Sequence, residues 1–189
     1  MRLPCWLALV ALACTPWAVG ATPLEMITNG DFEQELTVGW IQHNDATYGT
    51  MTRTTTADPD PDYEAQLIVD NGVGELGLVQ RFRVPDLDLS VSASLRARTD
   101  GTSGAWAVAG VRLTYRDGDW GTLGTTVIVS PSVDCPWVDS PTFHMIVVDQ
   151  GVWETHSFEL ADELINLPGV DPAAIEWLYV EVMIEAENC

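Results

Sequence analysis

Asn29-Gly30-Asp31-Phe32-Glu33, closed by Gly39-Trp40, is the stretch whose reading decides the fold. Asn-Gly is a strong turn signal, because both residue types tolerate positive φ. An apolar run, Leu24-Glu25-Met26-Ile27, precedes it and reads as a strand. Phe32 offers a ring to whatever core lies beneath. Glu33 returns a carboxylate to the turn, where it can accept backbone N–H groups or hold a cation. Trp40 restarts the chain as a new strand. Such a strand, turn and strand make a compact opening device for a β protein.

The rest of the chain keeps that rhythm. Short β-type runs alternate with turn punctuation, the pattern of a sandwich. Strands are expected over 49–56, 63–69, 76–84, 90–98, 106–116, 125–130, 143–148, 152–160 and 175–185. Ser90 to Arg98 alternates cleanly: Val91, Ala93, Leu95 and Ala97 on one side, Ser92, Ser94, Arg96 and Arg98 on the other. Period two means one buried and one wet face. In the last strand Leu178, Val180, Val182 and Ile184 point inward, while Trp177, Tyr179, Glu181, Met183 and Glu185 point outward. Ala161 to Asn166 suits one helical turn, stopped by Pro168-Gly169. With no long helix and no internal repeat, the fold expected is all-β: a single antiparallel β-sandwich of jelly-roll type.

The N-terminus reads as a secretory signal peptide over residues 1–21. Met1-Arg2 is a short basic start, Leu7 to Ala13 an apolar centre, and Ala18-Val19-Gly20-Ala21 a small-residue cleavage region. The apolar run is too short to span a bilayer, and no later segment is long enough, so no membrane insertion is expected. Residues 22–189 then form one exported domain, secreted, periplasmic or at the cell surface. The chain carries 28 acidic and 8 basic residues, a formal net charge of -20, and every basic residue is Arg. So acidic a surface repels phosphate backbones, which excludes nucleic acid as a partner. Cys135 and Cys189 remain after the leader, and an oxidising compartment makes a disulfide between them the expectation.

The opening turn, together with the strand rhythm from about Leu24 onward, resembles the galactose-binding-like jelly-roll modules, especially CenC-type carbohydrate-binding modules. Those begin with Asn-Gly-x-Phe-Glu and carry Gly-Trp several residues later. The resemblance implies a glycan ligand and a structural calcium. Glu33 and the Asn29-Gly30 turn are the ligands this chain offers, since calcium takes six or more hard oxygens. Modules of this kind close with a further strand bearing an acidic pair. Here the chain reaches Cys189 in what corresponds to the loop before it, so that strand is either replaced or lies outside this sequence.

The residues themselves speak for binding more than for catalysis. No Gly-x-Ser-x-Gly, His-Glu-x-x-His or Gly-rich phosphate loop is present. His43, His144 and His156 lie far apart in the sequence, with no nucleophile motif beside them. A glycosidase needs two carboxylates facing across a cleft, and the strand rise sets Glu181 and Glu185 about 13 Å apart along their strand. Flat rings backed by polar groups suit sugars, whose faces are apolar and whose edges are polar. Trp177 and Tyr179 sit two apart on an outward strand face, and Trp106, Trp120 and Trp137 fall at strand ends or in loops. Arg96, Arg98 and Arg112 lie on polar strand faces, as do Arg81 and Arg83. Together they could clamp carboxylate or sulfate on an anionic glycan, or pair with acidic neighbours across the sheet. The expectation is a non-catalytic carbohydrate-binding module. The alternative is an adhesive cell-surface β-sandwich whose aromatic residues meet a protein. Which glycan is bound, and in what oligomeric state, is not written in the sequence.

Overall fold

The computed structural model describes residues 5–16 (as backbone), 25–56, 62–100 and 104–187. Eleven strands form two layers: β1 (Cys5–Pro16), β2 (Ile41–Asn44), β3 (Gly49–Thr54), β4 (Glu64–Val69), β5 (Gly74–Arg83), β6 (Leu89–Arg98), β7 (Trp106–Arg116), β8 (Thr122–Pro131), β9 (Phe143–Val147), β10 (Glu154–Glu159) and β11 (Trp177–Glu187). One sheet has the order β10-β6-β1-β4-β3 and the other β2-β5-β11-β7-β8-β9. Consecutive strands from β4 to β7 switch sheet each time, so the fold is an all-β sandwich with jelly-roll crossings. One pairing departs from the antiparallel expectation. β9 runs parallel to β8, Thr125 opposite Phe143 and Val129 opposite Val147. The long 131–141 loop allows this, because a parallel neighbour needs a crossover too long for a hairpin.

Alternation builds the core. In β6, Leu89, Val91, Ala93, Leu95 and Ala97 are buried while the residues between them are partly exposed. On the facing sheet Leu76, Leu78, Val111, Leu113, Tyr115, Ile128, Leu178, Val180, Val182 and Ile184 close the layer. The wet face of the five-stranded sheet is polar, with Ser92 and Ser94 hydroxyls bonded to Ser157 and Thr155 at 2.8 and 2.7 Å. A short helix, α1 (Leu160–Glu163), runs into a 3₁₀ turn over Leu164–Asn166, where one helical turn was expected.

The segment expected as a leader lies in the middle of the five-stranded sheet. β1 pairs with β6 along ten positions and with β4 along five. Its Leu7, Leu9, Leu12 and Cys14 stand opposite the core row Ala97, Leu95, Ala93 and Val91, and a bulge near Val10 sets this register.

The opening motif is a tight turn, not the end of a strand: residues 25–28 join no sheet. Asn29 (φ 54°) and Phe32 (φ 55°) take the left-handed region that Asn tolerates and Phe rarely does. Asn29 is buried and organises the loop from within. Its Nδ2 faces the carbonyls of Gln34, Glu35 and Val38 at 3.2, 3.2 and 3.4 Å, and its Oδ1 accepts the Gln34 N–H at 2.8 Å. Trp40 Nε1 donates to the Asn29 carbonyl at 3.0 Å, and its ring stacks on Phe32 with centroids 5.5 Å apart. Gln80 fastens the turn to β5, exchanging two bonds with the Thr28 backbone.

Candidate functional site

The outer face of the six-stranded sheet holds the candidate site, and strand register explains its layout. Across β5, β11 and β7 one row reads Arg83, Trp177, Arg116, and the next reads Arg81, Tyr179, Thr114. Rings on the central strand are therefore flanked by guanidinium groups from both neighbours. Trp120 completes the patch from the turn between β7 and β8. Asp117 closes that turn, its Oδ1 accepting the N–H groups of Asp119 and Gly121 at 2.9 and 2.7 Å. Trp120 itself has φ 69°, which sends the chain back over the sheet. Gly118 in this turn lies against the Glu176 carboxylate, where a Cβ would come within 2.6 Å of Oε1 and move that side chain aside.

Trp120 stacks on Trp177 with centroids 4.7 Å apart and planes 24° apart, and meets Tyr179 edge-on at 6.0 Å. Arg81 lies 5.3 Å from the Trp120 ring centre and donates to the Tyr179 hydroxyl at 3.4 Å. Arg116 sits 4.6 Å over the Tyr179 ring and donates to the Trp120 carbonyl at 2.7 Å. Arg83 pairs with Glu176 at 2.8 Å. Trp120 keeps 41% of its surface exposed, unusual for a ring of that size.

Of the eight ligand-contacting residues expected from sequence, three meet here: Trp177, Tyr179 and Trp120. Trp106 and Trp137 meet elsewhere on the same sheet, 6.3 Å apart, with Phe143 edge-on to Trp137 at 5.6 Å. The 131–141 loop lays Cys135 and Trp137 over Val108, Val127, Val129 and Met183, a small second core on the outside of the sheet. Met183 thus points outward, as the alternation requires, and is buried all the same. Trp106 Nε1 donates to Glu187 at 2.7 Å. Pro136, Trp137, Val138 and Phe143 border an open hollow of about 260 Å³.

The three arginines expected to face ligand do not join the aromatic patch. Arg96 and Arg98 project from the other sheet, Arg96 over Trp153 at 5.5 Å and Arg98 beside Asp100 at 3.3 Å. Arg112 is on the correct sheet but is enclosed by carboxylates. It bonds Glu181 at 2.6 Å, touches Glu75, and lies 3.6 Å from Glu185. Burial pulls its pKa down, and the charges of Glu181 and Glu75 more than reverse that. Burial pushes Glu181 above the usual carboxylate range against the pull of Arg112. Burial, then the charge of Glu75, does the same to Glu185. Gly77 makes room for this cluster, since a Cβ there would sit 2.6 Å from Glu181 Oε1. One guanidinium is thus shared between Glu181 and Glu185, as the pairing of Arg with acidic neighbours across a sheet would have it.

A second polar cluster, unsignalled by sequence, is internal. Glu163 is 4% exposed and receives the Thr126 hydroxyl at 2.8 Å, sits 2.6 Å from His144 Nδ1, and accepts from Asn166 at 3.1 Å. The Tyr115 hydroxyl adds to it through Thr126. The Thr126 hydroxyl is fully buried, while the His144 side chain is partly exposed. The cluster satisfies a buried charge beside the β8–β9 edge.

The oxygens expected to hold calcium are otherwise engaged. Arg53 donates to the carbonyls of Phe32 and Glu33 at 2.6 and 2.7 Å and stacks 3.1 Å over Tyr63. Glu33 Oε1 accepts the Tyr63 N–H at 3.3 Å, and the Asn29 amide is taken up by its own loop. The Arg53 guanidinium thus lies against the backbone beside the turn expected to hold the ion. Among the described residues no three His, Cys, Asp or Glu side chains gather as metal ligands. Among the described residues Cys135 pairs with no other cysteine, and burial raises its pKa. Cys189 lies outside the described residues, as does the pairing expected for it.

No helix among the described residues is long and apolar enough to cross a membrane. No protein-family model matches the chain, and no curated protein shows significant similarity to it.

Proposed function

We propose that this chain is a non-catalytic glycan-binding module whose binding surface is the Trp120–Trp177–Tyr179 patch. The observation that carries the reading is the exposed Trp120 ring, held by Trp177 beneath it and bordered by Arg81 and Arg116. Sugar C–H faces stack on such a ring while edge hydroxyls meet guanidinium and phenol donors. The support for a rigid site is local: the turn is closed by Asp117 and the platform residues stand on β11, the strand between β5 and β7. Rigid rings lose little entropy on binding. Beside the rings Glu176 is paired with Arg83 and Asp117 is bonded within its turn.

The test is a glycan array followed by titration of intrinsic tryptophan fluorescence. Binding that quenches fluorescence and weakens about tenfold in Trp120→Ala, a loss of about 1.4 kcal/mol, supports the proposal. Silence across the array at millimolar ligand overturns it. Capture of a protein partner that Trp120→Ala abolishes, with no glycan bound, moves the assignment to an adhesive module.

A further inference from the structure

We infer that the aromatic patch selects anionic glycans, those bearing carboxylate or sulfate groups, over neutral ones; this rests on the glycan-binding reading above. The chain has 28 acidic residues and 8 arginines, so a guanidinium without a carboxylate neighbour is against the odds. The Arg112 cluster shows the ordinary outcome, one cation shared among three acids. At the patch the balance is different. Arg81 meets a phenol hydroxyl and an indole face. Arg116 meets a backbone carbonyl and a phenol ring, and its Nε–H finds no acceptor. Among the described residues neither forms an ion pair within 4 Å, whereas Arg83, in the same row as Trp177, has Glu176.

Geometry makes the two useful together. Arg81 and Arg116 stand on opposite flanks of β11, two strand spacings across and two residues along, or about 12 Å apart at the backbone, with Tyr179 and the stacked indoles between them. A sugar ring laid on Trp120 would direct its substituents toward a guanidinium on either side. Carboxylate and sulfate match the guanidinium fork in charge and shape, and such bonds are roughly twice as strong as neutral ones. The chain's net charge of -20 repels a polyanion that arrives away from these arginines, so it restricts where the ligand docks. Asp119 is exposed in the same turn, next to Trp120 in the chain, and its charge opposes an anion.

The inference is tested with matched probes on the full chain: an oligogalacturonate against its methyl ester, and a sulfated oligosaccharide against its desulfated form. At about 50 mM salt the charged member is expected to bind at least about tenfold more tightly in one or both pairs, the gap shrinking as salt rises. Which pair responds distinguishes carboxylate from sulfate. Arg81→Met, at an exposed position, and Arg116→Met are each expected to reduce the gap to threefold or less, with melting temperature reporting that the fold is kept. Equal binding of charged and neutral members, or a gap that survives both substitutions, overturns the anionic selectivity and leaves glycan binding standing. No binding of either member, nor of any neutral glycan on the array, removes the parent reading, and this inference with it.

Discussion

Replacing Asn29 probes the turn that opens the domain. Its Nδ2 carries two hydrogens and faces three carbonyls, so two bonds form at a time, and Oδ1 holds a third from Gln34. A neutral bond of this part-buried kind contributes about 1 kcal/mol net. Asn29 also sits at φ 54°, where an alanine costs about 1 kcal/mol more. Asn29→Ala is therefore expected to lose about 4 kcal/mol, and Asn29→Gly, which keeps the backbone freedom, about 3 kcal/mol. At this chain length that lowers the melting temperature by about 10 °C. Urea unfolding monitored by tryptophan emission is the assay, with Trp40 stacked on Phe32 as a local reporter. A loss under about 1 kcal/mol in Asn29→Ala would refute the idea that this side chain organises the loop. A glycine variant weaker than the alanine variant would refute the backbone part alone.

Three further outcomes follow from the same coordinates. Glu185 carries a folded-state pKa above its unfolded value, so its ionisation works against folding as pH rises through the usual carboxylate range. Glu185→Gln should thus raise the unfolding free energy at about pH 7 by under about 1 kcal/mol given its partial exposure, and the gain, followed by urea unfolding, should vanish below about pH 4. Arg53→Met removes two bonds to the Phe32 and Glu33 carbonyls and a cation–π contact. It is expected to cost about 2 to 3 kcal/mol, with added calcium giving no recovery in a thermal melt. A chain begun at Thr22 lacks β1 and should melt at least about 10 °C below the full chain, because both β4 and β6 lose their pairing partner; equal melting curves would show that the segment contributes nothing to the sheet.

Much of the fold is legible because alternation is a local signal. Val91 to Ala97 and Leu178 to Ile184 state their buried faces in their own spacing. Pairing between distant strands is not local, and there reading fails. The sequence puts Arg81, Arg83, Arg96 and Arg98 on equal terms, yet β5 and β6 belong to different sheets, so the first two border the rings and the others do not. Trp177 and Tyr179 are visible as an outward pair two residues apart. Trp120 joins them only because the turn that Asp117 closes bends back, a result of backbone angle. The parallel β8–β9 pairing was hidden for a similar reason, since residues 131–141 carry no pattern that says on which side the chain returns. Met183 shows the limit from the other direction: its outward spacing is read correctly, and a loop fifty residues earlier decides that it stays dry.

β1 carries a consequence for how the molecule ripens. The same twelve residues that the sequence offers as an export leader also pair with both β6 and β4. A protease trimming them would split the five-stranded layer into two pairs, β10 with β6 and β4 with β3, each showing a raw seam of hydrogen-bonding groups. Any extended peptide able to lie in that furrow would then be competing for the place the chain's own beginning had held.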